Sequence, residues 1–282
     1  MSPLTPGVSH RAVARRSPAI ARRNPAIARR NPAIASLAAA LLALGTFHAS
    51  PSFAQGIKLE YSKTVGDKAA YQMIMEGKTT VFVGDRTQTS SIKTEMFLTQ
   101  NVAALKDEIV TLKTKIDSGT INVNGQPSPI PMIGQEVVTD MRRDGTIVSN
   151  SGFQGLDLKS MQLVFPNKEL NVNDSWNSNI PASANVPVDL NVTYTVVGVE
   201  KIKDQDCVKI ASKVRSGKDT QIEGLTLNVQ ADGNIYFAYK AGRMMKNDVK
   251  SQMNMILKRV VNNQEQRIIT KMEMDMRMEY TY

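Results

Sequence analysis

Few residues in this 282-residue chain are equipped for covalent or metal chemistry, and their positions limit the reactions open to it. The two histidines are His10 and His48, and the one cysteine is Cys207. Both histidines fall within residues 1–54, a stretch that reads as a cleavable leader. A mature chain without imidazole cannot run Ser-His-Asp or Cys-His catalysis, nor offer histidine to zinc or copper. Cys207 has no internal disulfide partner, and its alternating context, "DCVKIAS", suits a small buried hydrophobe. Asp67, Asp85, Asp144, Asp174 and Asp232 could supply paired carboxylates of the glycosidase kind, but each sits in a turn-like context that explains it more simply. No phosphate-binding loop, dinucleotide fingerprint or Gly-x-Ser-x-Gly elbow is present.

The most distinctive candidate is "TKMEMDMRMEYTY", residues 270–282, in which Met272, Met274, Met276 and Met278 alternate with Glu273, Asp275, Arg277 and Glu279. Residues two apart lie about 200° round a helix, so only a strand puts the four thioethers on one face. A two-residue turn at Asn262-Asn263 would set Met253 against Met272, Leu257 against Ile268 and Val249 against Met276. On the other face it sets Lys250 against Asp275, Asp248 against Arg277 and Lys246 against Glu279. Complementary pairs of this kind favour that register, and one slip would turn the Met row to the charged side. One pair, Lys258 with Arg267, is of like charge. Thioethers suit soft copper(I), but Val249, Leu257 and Ile268 on the same face point to packing or to an apolar cavity. The expected ligand-facing set is Met253, Met255, Met272, Met274 and Met276, together with Trp176. Trp176, the single tryptophan, is expected to plug one end of the core with its indole N–H near the surface.

The formal charge of +9 suggests an anionic partner until its position is considered. Residues 1–54 carry Arg11, Arg15, Arg16, Arg22, Arg23, Arg29 and Arg30 and no acid, which leaves 28 Lys+Arg against 26 Asp+Glu in the rest. With the charges interleaved and aromatics scarce, that remainder does not look like a nucleic-acid binder. The basic stretch repeats "RRSPAIA", "RRNPAIA", "RRNPAIA", with Pro18, Pro25 and Pro32 forbidding a continuous helix. An apolar run from Ile34 to Phe47 and the small residues Ser52 and Ala54 complete an export signal, with cleavage expected after Ala54. The protein is therefore expected to be periplasmic or secreted, by the general secretory route in preference to the twin-arginine one. Its apolar run is too short to span a bilayer.

Residues 55–282 alternate with period two over most of their length, as an antiparallel β domain would. Strands are expected at 57–65, 70–76, 78–84, 189–200 and 207–214, and from 108 onward within "VAALKDEIVTLKTKI". Turns are expected at Gly66-Asp67, Glu76-Gly77, Gly84-Asp85, Asp144-Gly145, Ser216-Gly217 and Asp232-Gly233. A short helix is expected at 156–165, closed by Pro166. Val65-Gly66-Asp67 is echoed by Val172-Asn173-Asp174, and "MRRDGTI" (141–147) by "VQADGNI" (229–235). These echoes suggest related halves, 55–155 and 165–282, in a curved sheet or incomplete barrel.

The segment "FPNKELNVNDSW", residues 165–176, resembles the Leu-Pro-x-x-x-Val-x-Val-Gly-Asp-Ser-Trp segment of a widespread group of uncharacterised exported bacterial proteins. In that group a Tyr-Thr-Val strand follows, here "TYTVVGVE" (193–200), and then a strand carrying a cysteine, here "CVKI" (207–210). Phe165 stands in place of Leu and Asn173 in place of Gly, and the likeness covers mainly residues 160–240. The resemblance implies no activity. It implies a shape similar to periplasmic lipoprotein carriers, which hold acyl chains on an apolar face. The expected function is a non-catalytic exported binding protein for a lipid-like or other hydrophobic ligand, with no cofactor or metal. The alternatives are an envelope or partner-binding protein with a fully packed core, a carboxylate hydrolase and a Met-only copper binder.

Overall fold

In a computed structural model, residues 56–62, 64–151, 162–182, 187–217, 220–222, 224–261 and 264–282 are described. The chain divides into the units Met1–Phe47 and His48–Tyr282, and every described residue belongs to the second. The expected leader, its cleavage site, the Asn262-Asn263 turn and most of the expected helix lie outside the described residues.

Short turns join long strands. Two-residue hairpins at Asp107-Glu108 and Lys203-Asp204 place all four residues at positive φ, as primed turns require. They join β2 (Arg86–Lys106) to β3 (Ile109–Val123), and β8 (Leu190–Ile202) to β9 (Gln205–Ser216). The remaining strands are β1 (Lys68–Val83), β4 (Gln126–Pro129), β5 (Glu136–Arg142), β6 (Ile147–Ser151), β7 (Ser175–Ile180), β10 (Thr220–Ile222), β11 (Leu225–Ala238), β12 (Arg243–Val261) and β13 (Gln264–Tyr280). They form one antiparallel sheet in the order β6-β5-β3-β2-β1-β13-β12-β11-β9-β8-β7, with β4 beside β3 and β10 beside β11. The sheet is open, not closed into a barrel.

Several expected boundaries are corrected. Glu76-Gly77 is not a turn: β1 runs through it, and Gly77 pairs with Met274 and Ile92. Parity is kept across the glycine, so Met75, Gly77 and Thr79 stay on one face and no reversal is needed. Asp232-Gly233 likewise lies inside β11, where a side chain at Gly233 would meet the Asp248 carbonyl oxygen at 2.6 Å. The dipeptide marks a close approach of strands, not a reversal. Residues 57–62 form no strand; they run extended over the sheet, held by an isolated bridge between Ile57 and Leu170. Residues 162–165, the described end of the expected helix, are irregular, with Leu163 and Phe165 buried. The Phe165 N–H donates to the Asp144 carbonyl at 2.7 Å, tying this stretch to the β5–β6 turn.

The two covering segments explain where the core forms. Leu59 from one, and Leu163, Phe165 and Leu170 from the other, pack on Val192, Tyr194, Val196, Val208, Ile210, Ile235 and Phe237. Phe165 meets Phe237 edge-on at 4.7 Å between ring centres, and Tyr61 meets both rings at 5.4 Å. Tyr61 donates its hydroxyl to the Leu163 carbonyl at 3.0 Å, and burial pushes that hydroxyl's pKa far above its usual value. The backbone crosses close to two turn glycines: Gly145 stands against Leu163 and Tyr61, and Gly242 against Ser62, with no room for a β-carbon at either.

The halves repeat a wiring pattern. Gly66 N–H donates to the Val102 carbonyl (2.8 Å), Val102 N–H to Asp67 (2.9 Å) and Asp67 N–H to Thr64 (3.0 Å). Asn173 N–H donates to Val196 (2.8 Å), Val196 N–H to Asp174 (2.9 Å) and Asp174 N–H to Asn171 (3.1 Å). Gly66 and Asn173 both have positive φ, and a register shift follows the contacted valine in each half, at Val102/Ala104 and Val196/Gly198. The meander β1-β2-β3-β5-β6 is thus matched by β7-β8-β9-β11-β12, with β13 as the strand between them. The Asp-Gly echo has no such counterpart, because Gly145 closes a turn while Gly233 lies within a strand.

Two outcomes are expected. A chain ending at residue 263 lacks β13 and should give no cooperative urea transition by circular dichroism; a sharp transition in that chain would contradict the role of β13. Leu59→Ala should cost about 2–5 kcal/mol in equilibrium unfolding, as a full core truncation does, although residue 59 lies in no strand.

Candidate functional site

The Met hairpin has the register read from its charges. Met253 faces Met272, Val249 faces Met276 and Leu257 faces Ile268. On the opposite face Arg277 reaches Asp248 at 3.1 Å, while Lys250–Asp275 and Lys246–Glu279 close to 3.9 Å. β13 also pairs with β1 on its other side, which extends the apolar face. Its cross-strand rows run Met75–Met276–Val249, Gly77–Met274–Ser251 and Thr79–Met272–Met253. From β2, Thr94 lies beside Met75 and Ile92 beside Gly77. Glycine and small hydroxyl residues thus lie among long, flexible thioethers, which leaves a shallow apolar relief that those side chains can reshape.

Met272, Met274, Met276 and Met278 are all half-buried. Of the two readings of this row, packed core or apolar cavity, half-exposure counts against full packing; among the described residues the buried methionines are Met73, Met141 and Met245. The reason lies in the covering segments, whose buried residues pack on β8, β9 and β11 and not on the Met row. Met253 and Met255 pack against a smaller cluster of Val188, Leu190 and Leu227. Trp176 lies elsewhere: it stacks on Tyr194 at 5.1 Å, packs against the main core and donates its indole N–H to the Val164 carbonyl at 2.9 Å. The six residues singled out from sequence thus fall into three places. Met272, Met274 and Met276 share the open face, Met253 and Met255 lie at its margin, and Trp176 clamps a covering segment. Met75, Ile92 and Thr94 were missed as members of the face, though the alternation of Met73 and Met75 carried the same signal.

Four of the five acids singled out from sequence have structural partners. Asp67 takes a two-point contact from Arg243 at 2.6 and 2.8 Å and a bond from the Ser62 hydroxyl at 2.9 Å. Arg243 also stands over the Tyr280 ring at 5.6 Å, so this pair joins the start of β1, the start of β12 and the end of β13. Asp144 accepts the Thr146 N–H and Asp174 the Asn171 N–H, each capping a turn, and Asp232 pairs with Arg215. Asp85 lies in the exposed β1–β2 turn. Among the described residues, no group of three or more His, Cys, Asp or Glu is placed to hold a metal ion. No helix among them is long and apolar enough to cross a membrane.

With this geometry in view, likeness to known proteins can be stated. Part of the chain matches a family of unknown function. That family, DUF6263, matches residues 156–244, which include Trp176, Cys207 and strands β7 to β11. A crystal structure of a DUF1329 family protein from Desulfovibrio piger is 12% identical and aligns over 74% of this chain and 85% of that one. Its TM-score of 0.13 is too low to bear on fold or function. No curated protein matches the chain.

Cys207 packs with Ala238 and Met245, and burial pushes its thiol up to about 11. At pH 8 the thiolate would be about one part in a thousand, against roughly a quarter for an unperturbed cysteine. Iodoacetamide at pH 8 should therefore modify Cys207 at least a hundredfold more slowly in the native protein than in urea; equal rates by mass spectrometry would contradict its burial.

Proposed function

We propose that this chain is an exported, non-catalytic binding protein that holds a lipid-like hydrophobic ligand on the open face centred on Met272, Met274 and Met276. The supporting observation is that this row is half-buried on a sheet that does not close, while the core forms under the covering segments. Completing the burial of four methionines is worth about 1 kcal/mol each, and every methylene of a bound acyl chain adds about 0.8 kcal/mol. Flexible thioethers conform to irregular apolar partners without imposing one shape. A scaffold with a fully packed core accords less well with the half-exposed row. The carboxylate hydrolase is disfavoured by the caps and ion pairs that occupy the acids. The Arg-rich repeat, apolar run and small residues up to Ala54 support a periplasmic or secreted location.

Native mass spectrometry of protein purified from its own host should show a co-purified hydrophobic species. Met272→Asp/Met276→Asp should remove that species and weaken binding of a fluorescent fatty acid at least tenfold, while the circular dichroism spectrum is retained. Parent protein free of bound hydrophobic mass and unresponsive to the fatty acid would overturn the proposal.

A further inference from the structure

The methionines gather on one part of the sheet. Met96 on β2, Met73 and Met75 on β1, Met272, Met274, Met276 and Met278 on β13, and Met253 and Met255 on β12 share one face of four adjacent strands. A demand for apolar surface does not account for this choice. β-Branched residues suit a half-buried pleated surface better than methionine does. The same face carries aliphatic residues around the patch, at Ile92, Val229, Leu257 and Ile268. What the thioether adds is a nucleophilic sulfur.

Access separates the sulfurs into two groups. Met75 and the four methionines of β13 are half-buried, whereas Met73, Met141 and Met245 are buried. The Cys207 thiol is fully buried as well. Gly77, Thr79, Thr94 and Ser251, which stand among the methionines, carry nothing that a peroxide attacks. A peroxide converts a thioether in one two-electron step. The sulfur lone pair attacks a peroxide oxygen, the S–O bond forms as the O–O bond breaks, and the second oxygen of hydrogen peroxide leaves as water. Sulfur is oxidised to the sulfoxide and the peroxide is reduced, with no further reactant. The new oxygen is a strong acceptor that needs water or a donor. On this face it can turn outward. The Lys250–Asp275 and Arg277–Asp248 pairs on the opposite face, and the core under the covering segments, then stay in place.

We propose that the open Met row is an oxidation site for peroxides, at which sulfoxide formation turns the face from apolar to polar and discharges the hydrophobic ligand. The oxidation site stands on the placement and access of the sulfurs alone; the discharge rests on the ligand reading above. A thiol-dependent reductase restores the face, the thiols becoming a disulfide and the oxygen leaving as water.

The test exposes the full chain to hydrogen peroxide and follows each methionine by peptide mass mapping. Met272, Met274 and Met276 should gain oxygen at least tenfold faster than Met73, Met141 and Met245, with the circular dichroism spectrum retained. Protein oxidised at the row should elute earlier from a hydrophobic-interaction column, whether or not a ligand binds. It should also lose at least tenfold in affinity for the fluorescent fatty acid, and methionine sulfoxide reductase with dithiothreitol should restore both properties. The volume-conserving variant Met272→Leu/Met274→Leu/Met276→Leu should keep most of its retention and affinity through the same exposure. If that variant does not fold, the mapping and column readouts on the parent protein still decide. Equal oxidation rates at the row and at the buried methionines, unchanged retention after oxidation of the row, or an equal loss in the leucine variant would each overturn the proposal. Oxidised protein that holds the fatty acid as tightly as the parent would overturn the discharge. A parent that never binds the fatty acid, yet oxidises selectively and elutes earlier, would sink the ligand reading and uphold the oxidation site.

Discussion

The structure depends on the double pairing of β13. One edge of this strand bonds to β1, the first strand of the sheet, and the other to β12, so the strand ladder joins the two meanders through it. Apart from the β1 and β12 edges that β13 fills, every pairing on the main path lies within one meander. The Arg243–Asp67 pair fastens the same junction from the side, and the Thr281 N–H donates to the Ala70 carbonyl at 2.8 Å near its end. An ion pair about one-fifth exposed is a modest contributor, so the ladder bonds and the apolar contacts of β13 carry most of the stability of this seam.

That seam also explains why the sheet is unevenly covered. Each meander is too wide to bury its apolar face alone, and two short irregular segments, 57–62 and 162–170, supply the second layer for one part of it. They bring Leu59, Leu163, Phe165 and Leu170 onto the second meander, and Tyr61 reaches Val102, Leu112 and Met141 in the first. Among the described residues, none supplies such a layer to the face beside β13. A row of methionines is well suited to that position, since an unbranched thioether loses less than a branched residue when its packing partners come and go.

Much of this was legible in sequence, for stated reasons. Antiparallel architecture followed from alternation, and the β12–β13 register from three complementary charge pairs that the structure closes. The Gly66/Asn173 echo pointed to a real repeat because both residues hold a positive φ in the same three-bond motif. The failures are equally local. Gly77 and Gly233 looked like turns because glycine is the default turn residue, yet both are strand positions; at Gly233 the Asp248 carbonyl oxygen takes the place of a side chain. Residues 57–62 have a strand's alternation, yet apart from the Ile57–Leu170 bridge they join no ladder. Alternation left the Met row open between packed core and apolar cavity, because it reports which residues share a face, not whether anything lies over it.

The place of β13 in the sheet has a consequence for the order in which the protein folds. β13 reaches β12 through a local hairpin, but it reaches β1 only across a large sequence separation, as the pairing of Tyr71 with Tyr280 shows. Contacts of that separation carry the larger loop-closure cost and form late. Until the β1–β13 ladder closes, both strands present an open edge and the sheet stands in two pieces. Those edges are open to pairing with another chain during that interval, and closure of the seam removes the hazard.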